Sequence, residues 1–160
     1  MRRVLLIAAT AGYQTRIFES AVRDLGHELV LATDRCHILE DPWGDQAIPV
    51  RFEEPEAAAK RLAELGADGI IAVGDAPTLI AALTAEQLSL PYHSPEAVGL
   101  CRNKYAARER FRTSGLRVPD YFRVPIDSEP GEAARSTEYP CVLKPLALSG
   151  SRGDTRQRRG

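Results

Sequence analysis

The sequence predicts an α/β protein built on a Rossmann-like, doubly wound parallel sheet. Short apolar, β-rich runs alternate with helical patterns over residues 1–93, which is typical of a parallel sheet covered by helices. The first run, residues 4–9, is continuously apolar, as expected for a strand that is buried on both faces. The chain has 160 residues, 44% of them hydrophobic and 27% charged, which is enough apolar mass for one domain core.

A helix and a second strand follow the first run. Residues 14–25 place Ile17, Ala21 and Leu25 at helical spacing, so we expect this stripe to face the sheet. Residues 27–32 form the next predicted strand.

The third predicted strand, residues 47–52, is an edge strand because Pro49 has no N–H to donate to a neighbouring strand. The alternation of helices and strands then continues. The predicted helices are residues 55–65 and 76–88, and the predicted strands are residues 68–73 and 90–93.

The pattern changes after residue 93. Ser94 is followed by proline and glutamate, which is a signal for a helix start, and it opens a charged helix that we expect to reach residue 114. Further on, we predict strands at residues 119–124 and 140–145 and a short helix at residues 130–139.

Charge and composition exclude several classes of partner. The formal net charge is -1, so the chain lacks the positive field that attracts nucleic acid or anionic membranes. The longest apolar run, residues 4–9, is too short for a membrane span or a secretion signal, and we expect a cytoplasmic protein. The cysteines are widely spaced, and the acidic cluster at residues 34–41 matches no metal-ligand spacing, so we predict neither disulfides nor a metal site.

The chemically most informative pattern lies near the end of the chain. A predicted strand delivers Lys144 and then leads into a loop composed of Ser149, Gly150, Ser151, Arg152 and Gly153. A lysine supplies a compact positive charge, and small residues let main-chain N–H groups approach phosphate oxygens. The pattern therefore suits a nucleotide polyphosphate. A plain β-hairpin with an exposed lysine is the alternative interpretation.

Together with its flanks, this segment resembles the ATP-grasp superfamily of carboxylate-amine ligases, with their biotin carboxylase and carbamoyl phosphate synthase relatives. The resemblance rests on an ordered set of features that begins with the Rossmann-like domain. It continues with SPEAV at 94–98, NKY at 103–105, GLRVP at 115–119, YPCVLKP at 139–145 and SGSRG at 149–153.

The resemblance implies what the chain binds. Lys104 and Lys144 are similar to the two lysines that reach the nucleotide phosphates in such enzymes, and residues 149–153 are similar to the glycine-rich lid over them. A full-length relative would use ATP and magnesium to convert a carboxylate into an acyl phosphate. An amine or another nucleophile would then capture that intermediate.

The resemblance also divides the chain. It implies a Rossmann-like domain of residues 1–93, the incomplete beginning of an α+β ATP-grasp domain at residues 94–153, and an unpatterned, Arg-rich tail at residues 154–160. The family's adenine-reading hinge and magnesium-binding cluster have no counterpart in this sequence. We therefore expect the chain to be truncated after Gly153 and inactive alone, and its oligomeric state is not predicted.

A second candidate site lies at the carboxyl edge of the predicted sheet, where doubly wound proteins bind ligands. Thr10 and Gly12 follow the first strand, and Gly74 and Asp75 follow a later one. In an ATP-grasp ligase this edge would face a small-molecule acceptor substrate. Ordinary strand-helix turns are the alternative for these residues, and a non-catalytic ligand-binding or regulatory module is the alternative for the whole chain.

Overall fold

The computed structural model describes residues 1–9, 13–34, 47–135, 137–147 and 155–157. Their elements are, in order, β1 (Arg3–Ala8), α1 (Tyr13–Asp24), β2 (Glu28–Thr33), β3 (Ile48–Pro49), α2 (Pro55–Glu64), β4 (Gly69–Val73), α3 (Asp75–Gln87), α4 (Pro95–Arg102), α5 (Lys104–Thr113), α6 (Pro130–Arg135), β5 (Cys141–Leu143) and β6 (Thr155–Gln157). The chain divides into two compact units, Met1–Val98 and Gly99–Gly160. Among the helices of the described ranges, none has the length and apolar character needed to cross a membrane.

The first unit is built on a four-stranded sheet with the order β3-β2-β1-β4. Every strand pair in this sheet is parallel, and Ala8 at the end of β1 is the register partner of Thr33 in β2 and of Val73 in β4. The chain runs outward from β1 to β3 and then returns to the other side of β1. A topological switch point therefore lies between β1 and β4, and the predicted fold class is confirmed.

Both faces of β1 are buried. Leu5 and Ile7 belong to a core cluster that includes residues of α2 and α3. Leu6 and Ala8 point to the opposite face, because side chains alternate along a strand, and they are also buried. This double burial requires a continuous apolar run, which is why the sequence of this strand is so distinctive.

The helix α1 buries a different face from the predicted one. Ile17 and Leu25 are 60% and 70% exposed, and Ala21 is exposed as well. Among the side chains of residues 15–24 in this helix, the buried ones are Thr15 and Val22, which are seven positions apart and therefore lie on one face. The prediction that the Ile17 stripe faces the sheet was wrong in phase, although the helical period was right.

Residues 90–93 do not form the predicted strand. Ser89 has a positive φ of 54°, and the N–H of Leu90 donates to the carbonyl oxygen of Ala85 at 2.8 Å, so the chain turns back at the end of α3. Pro91 has no N–H with which to extend a strand ladder. Within the described sheet, β4 is consequently the edge strand on this side.

The long helix predicted to reach residue 114 is two helices, α4 and α5. Between them Asn103 has an extended backbone, with φ -113° and ψ 107°. Its Oδ1 accepts hydrogen bonds from the N–H groups of Tyr105 at 3.1 Å and Ala106 at 3.0 Å. Asparagine competes for main-chain donors in this way and is a strong N-cap, so it starts a new helix rather than continuing the old one.

The second unit is less regular than predicted. Residues 119–124 form no strand, and α6 is shorter than the predicted helix because it ends at Arg135. β5 pairs antiparallel with β6, which lies in the tail where the sequence shows no strand pattern. None of the described residues from Gly99 onward is fully buried, so this unit has no closed core of its own within the described ranges.

Candidate functional site

The carboxyl ends of β1 and β4 meet at the switch point of the sheet. Gly74 follows β4 and caps α3, with φ 103° and ψ 166°, a backbone region that is essentially restricted to glycine. Asp75 is exposed in the first turn of α3, where the helix dipole favours a negative charge. The structure thus places both residues at the predicted ligand edge, whereas Thr10 and Gly12 lie outside the described residues.

Two threonines at this edge were missed by the sequence analysis. Thr33 ends β2 and is 2% exposed, and Thr15 lies in the first turn of α1 and is 5% exposed. Their hydroxyl oxygens are buried and have no hydrogen-bond partner in the part of the chain that the structure describes. Thr33 could have been found from the sequence, as a polar residue at the end of a predicted strand. No pattern in the sequence indicates a site at Thr15.

In the second unit, Lys104 begins α5 and lies against the chain that leaves β5. Its Nζ donates to the carbonyl oxygen of Pro145 at 2.9 Å, and its main-chain N–H donates to that of Leu146 at 3.0 Å. Lys104 is half-buried, and Lys144 is exposed. The structure therefore brings together the two segments that carry the predicted phosphate-binding lysines. The remaining predicted residues of this site, Ser149, Gly150, Ser151, Arg152 and Gly153, lie outside the described residues.

An aromatic and charged cluster holds the irregular chain after α5 against that helix. The hydroxyl of Tyr121 donates to Glu109 at 2.5 Å, and Glu109 also pairs with Arg112 at 2.7 Å. The rings of Tyr105 and Tyr121 meet edge to face at 5.7 Å, and the guanidinium of Arg123 lies 4.9 Å from the centre of the Tyr105 ring. These side-chain contacts fix the segment on α5 without strand pairing.

The hydrogen bonds of this cluster shift the pKa values of Glu109 and Tyr121. The hydrogen bond from Arg112, followed by that from Tyr121, lowers the pKa of the Glu109 carboxyl from its usual value. The bond to Glu109 is the main reason why the pKa of Tyr121 is raised. Both residues are half-buried, and hydrogen bonds outrank burial among the causes of each shift, so these shifts indicate specific hydrogen bonds.

The described residues offer no evident metal centre. Within them, no group of three or more histidine, cysteine, aspartate or glutamate side chains is close enough together to hold a metal ion. Cys101 and Cys141 are free thiols. Residues 35–41 of the acidic cluster noted in the sequence lie outside the described residues.

No protein-family model matches the chain. The uncharacterized protein y4rH of Sinorhizobium fredii is 28% identical over 161 residues, which span 96% of this chain and 33% of that protein. The chain thus spans about a third of the length of this curated relative.

Solved structures of ligases share the fold. An L-amino acid ligase from Bacillus licheniformis matches 99% of this chain with a TM-score of 0.67 and 24% identity, over 40% of its own length. A carboxyaminoimidazole ribonucleotide synthase from Aspergillus clavatus, complexed with ATP, also matches 99%, with a TM-score of 0.69 and 22% identity, over 41% of its length. The TM-scores show a shared fold, and at these identities the likeness extends to the fold alone. The chain therefore has the fold of the N-terminal part of ATP-grasp ligases.

Proposed function

We propose that this chain forms part of an ATP-dependent ligase that joins a carboxylate to an amine or a related nucleophile. A carboxylate oxygen would attack the γ-phosphorus of ATP, which forms an acyl phosphate and releases ADP. The nucleophile would then attack the acyl carbon, and inorganic phosphate would leave. In phosphoryl transfer of this kind, catalysis depends mainly on positioning and on stabilisation of the phosphate charge.

The observation that carries the proposal is the contact between Lys104 and the chain just after β5. Lys104 and Pro145 are 41 positions apart in the sequence, yet the Nζ of Lys104 lies 2.9 Å from the Pro145 carbonyl oxygen. Lys104 and Lys144 consequently belong to one small region of the second unit. Two lysines in one region concentrate positive charge, which favours a polyphosphate anion.

In this proposal, Lys104 and Lys144 donate charge-assisted hydrogen bonds to the nucleotide phosphates, and residues 149–153 complete the phosphate site. The Aspergillus clavatus synthase, which shares the fold, is complexed with ATP, and this supports the choice of nucleotide. The β5–β6 pairing is compatible with the proposal, because a loop between two antiparallel strands can carry a phosphate site as readily as a plain turn.

The acceptor substrate is assigned to the carboxyl edge of the first unit. Gly74 and Asp75 lie there, next to the switch point between β1 and β4. The buried hydroxyls of Thr15 and Thr33 support a polar small molecule at this edge, because each could donate a hydrogen bond that the described protein residues do not accept. Thr10 and Gly12, from the sequence analysis, belong to the same proposed site.

The resemblance implies that such ligases use magnesium together with ATP. Among the described residues, no three acidic, histidine or cysteine side chains come together to form a metal site made by the protein alone. Magnesium bound with a nucleotide uses only one or two carboxylates besides the phosphates, and the geometry of the described residues assigns no carboxylate to this role. We therefore assign no step of the proposed reaction to a metal ion held by this part of the chain.

Titration of the 160-residue chain with ATP and with ADP, followed by backbone amide NMR shifts, tests the proposal. We expect shifts around residues 104 and 144. Lys104→Ala and Lys144→Ala should each weaken binding by about 10- to 100-fold, because a hydrogen bond from a charged donor is worth about 1.5–3 kcal/mol. Lys60→Ala is the matched control, because Lys60 is exposed on α2 in the other unit, and it should bind like the parent.

Two results would count against the proposal. Equal affinities of the parent and all three alanine variants would show that the phosphates do not bind at Lys104 and Lys144. No binding of either nucleotide at millimolar concentration would favour a non-catalytic ligand-binding or regulatory module instead.

A further inference from the structure

The first N–H groups of α5 are already used by the protein. The Oδ1 of Asn103 accepts from Tyr105 at 3.1 Å and from Ala106 at 3.0 Å, and the N–H of Lys104 donates to Leu146 at 3.0 Å. These are the groups with which a helix N-terminus otherwise binds an anion. The positive end of α5 therefore faces a side-chain oxygen and a main-chain oxygen of the protein.

Lys104 is an unfavourable residue for this position on electrostatic grounds alone. The N-terminus of a helix carries a partial positive charge, which repels an ammonium group in the first turn. The carbonyl oxygen of Pro145 offsets this repulsion, since the Nζ of Lys104 donates to it at 2.9 Å. One residue thus holds two consecutive carbonyl groups, those of Pro145 and Leu146, through its side chain and its main chain.

We propose that Lys104 is a positioning residue, which fixes the main chain at Lys144 by clamping these two carbonyl groups. Among the described residues, the last register pair of β5 is Leu143 with Thr155. Lys144 lies between that pair and the clamped Pro145. The inference rests on the proposed function, in which Lys144 binds a nucleotide phosphate, and it gives Lys104 a role that is exerted through Lys144.

The consequence for binding is pre-organisation. A side chain that extends from a fixed main chain loses less conformational entropy when it binds its ligand than one on a loose segment. Lys104 should therefore increase the affinity of Lys144 for a phosphate in addition to any contact of its own.

NMR measurements on the full chain without nucleotide test the clamp. In Lys104→Met the side chain stays unbranched and is only one atom shorter, but it loses the donor. The carbonyl ¹³C resonance of Pro145 should therefore move, and the amide of residue 104 should exchange about tenfold faster after correction for its intrinsic rate. Lys104→Arg retains a charged donor, but in a planar fork rather than a compact ammonium, so it should move the Pro145 resonance and the exchange at residue 104 only part of the way back to their parent values. Lys144→Met is the control, because it removes a neighbouring charge but not the clamp, and it should leave the exchange at residue 104 unchanged.

A nucleotide titration of the same variants tests the consequence. Affinity should fall in Lys104→Met and recover at least in part in Lys104→Arg, in parallel with the Pro145 signal. An unchanged Pro145 signal in Lys104→Met would overturn the clamp. If Lys104→Arg retained the clamp but bound nucleotide as weakly as Lys104→Met, the role of Lys104 in positioning Lys144 would be overturned. If the parent bound no nucleotide, the proposed function would fail, and the measurements without nucleotide would still decide whether the clamp exists.

Discussion

Replacement of Thr15 by valine should stabilise the first unit. Thr15 is 5% exposed, and its hydroxyl oxygen is buried without a partner among the described residues. Valine has nearly the same shape and is also branched at Cβ, so the substitution removes the unpaired polar group and changes little else. The same reasoning applies to Thr33 at the end of β2, where valine is additionally favoured by its preference for strands.

The expected size follows from the cost of an unpaired group. A buried donor or acceptor that is left unsatisfied costs about 1–3 kcal/mol, so we expect Thr15→Val to raise the free energy of unfolding by about 1 kcal/mol. Thr84→Val is a matched control in the same unit. Thr84 is 0% exposed and its hydroxyl donates to the carbonyl oxygen of Ile80 at 2.8 Å. Loss of that bond should lower the free energy of unfolding by about 0.5–1.5 kcal/mol.

Native-state hydrogen exchange of the β1 amides measures these changes, because the central strand reports the global opening of its unit. The two substitutions should move the exchange rates in opposite directions. If Thr15→Val and Thr84→Val were equally destabilising, the Thr15 hydroxyl would have to be paired, and the argument for an open polar site at the sheet edge would lose its basis.

Three further predictions concern the rest of the chain. Asn103→Ala removes the N-cap of α5, which should cost about 1 kcal/mol and accelerate amide exchange in the first turn of that helix by about fivefold. Ser94→Ala is the control, and it should affect only the start of α4. Because the pKa of Glu109 is lowered, its contribution to stability is present above its usual pKa of 4.5 and is lost as the pH falls through the lowered value. Tyr121→Phe should raise that pKa in a carboxyl ¹³C titration, and an unchanged value would refute the contribution of this hydrogen bond. Limited proteolysis should leave a resistant fragment close to residues 1–98, since the described residues beyond it include none that is fully buried, and equal protection of both units would contradict this.

The elements that the sequence predicted well are those with a clear apolar pattern; β1 is buried from Leu5 to Ala8, and β2 and β4 are at least half-buried throughout. β1 begins and ends within one residue of its predicted bounds, as do β2 and β4, because a strand between two layers of helices needs a continuous apolar run. The bounds of α2 and α3 also agree within one residue. Burial of this kind is determined by local composition, which a single sequence displays directly.

Contacts between distant segments could not be predicted in the same way. Lys104 and Lys144 were proposed as a pair from the resemblance, but nothing local in the sequence indicates that Lys104 bonds to Pro145, 41 positions away. The break at Asn103 carried a signal, since asparagine is a strong N-cap, but the charged residues on either side outweighed it. The segment at Tyr121 has the composition of a strand, and its side-chain contacts with α5 override that preference.

The error at α1 has a physical cause that bears on function. Burial of Ile17 would contribute about 1.5–3 kcal/mol, yet Ile17 is 60% exposed and Thr15 is buried with an unpaired hydroxyl. Hydrophobic periodicity predicts that a helix buries its most apolar face. It therefore cannot predict the orientation of a helix that buries a less apolar face for another reason. Departures from locally optimal choices are concentrated at functional sites. Thr33, the other buried threonine without a partner, ends β2 at the same carboxyl edge, where the acceptor substrate is proposed to bind. The orientation of α1, which buries Thr15 and exposes Ile17, therefore agrees with the polar ligand proposed for this edge.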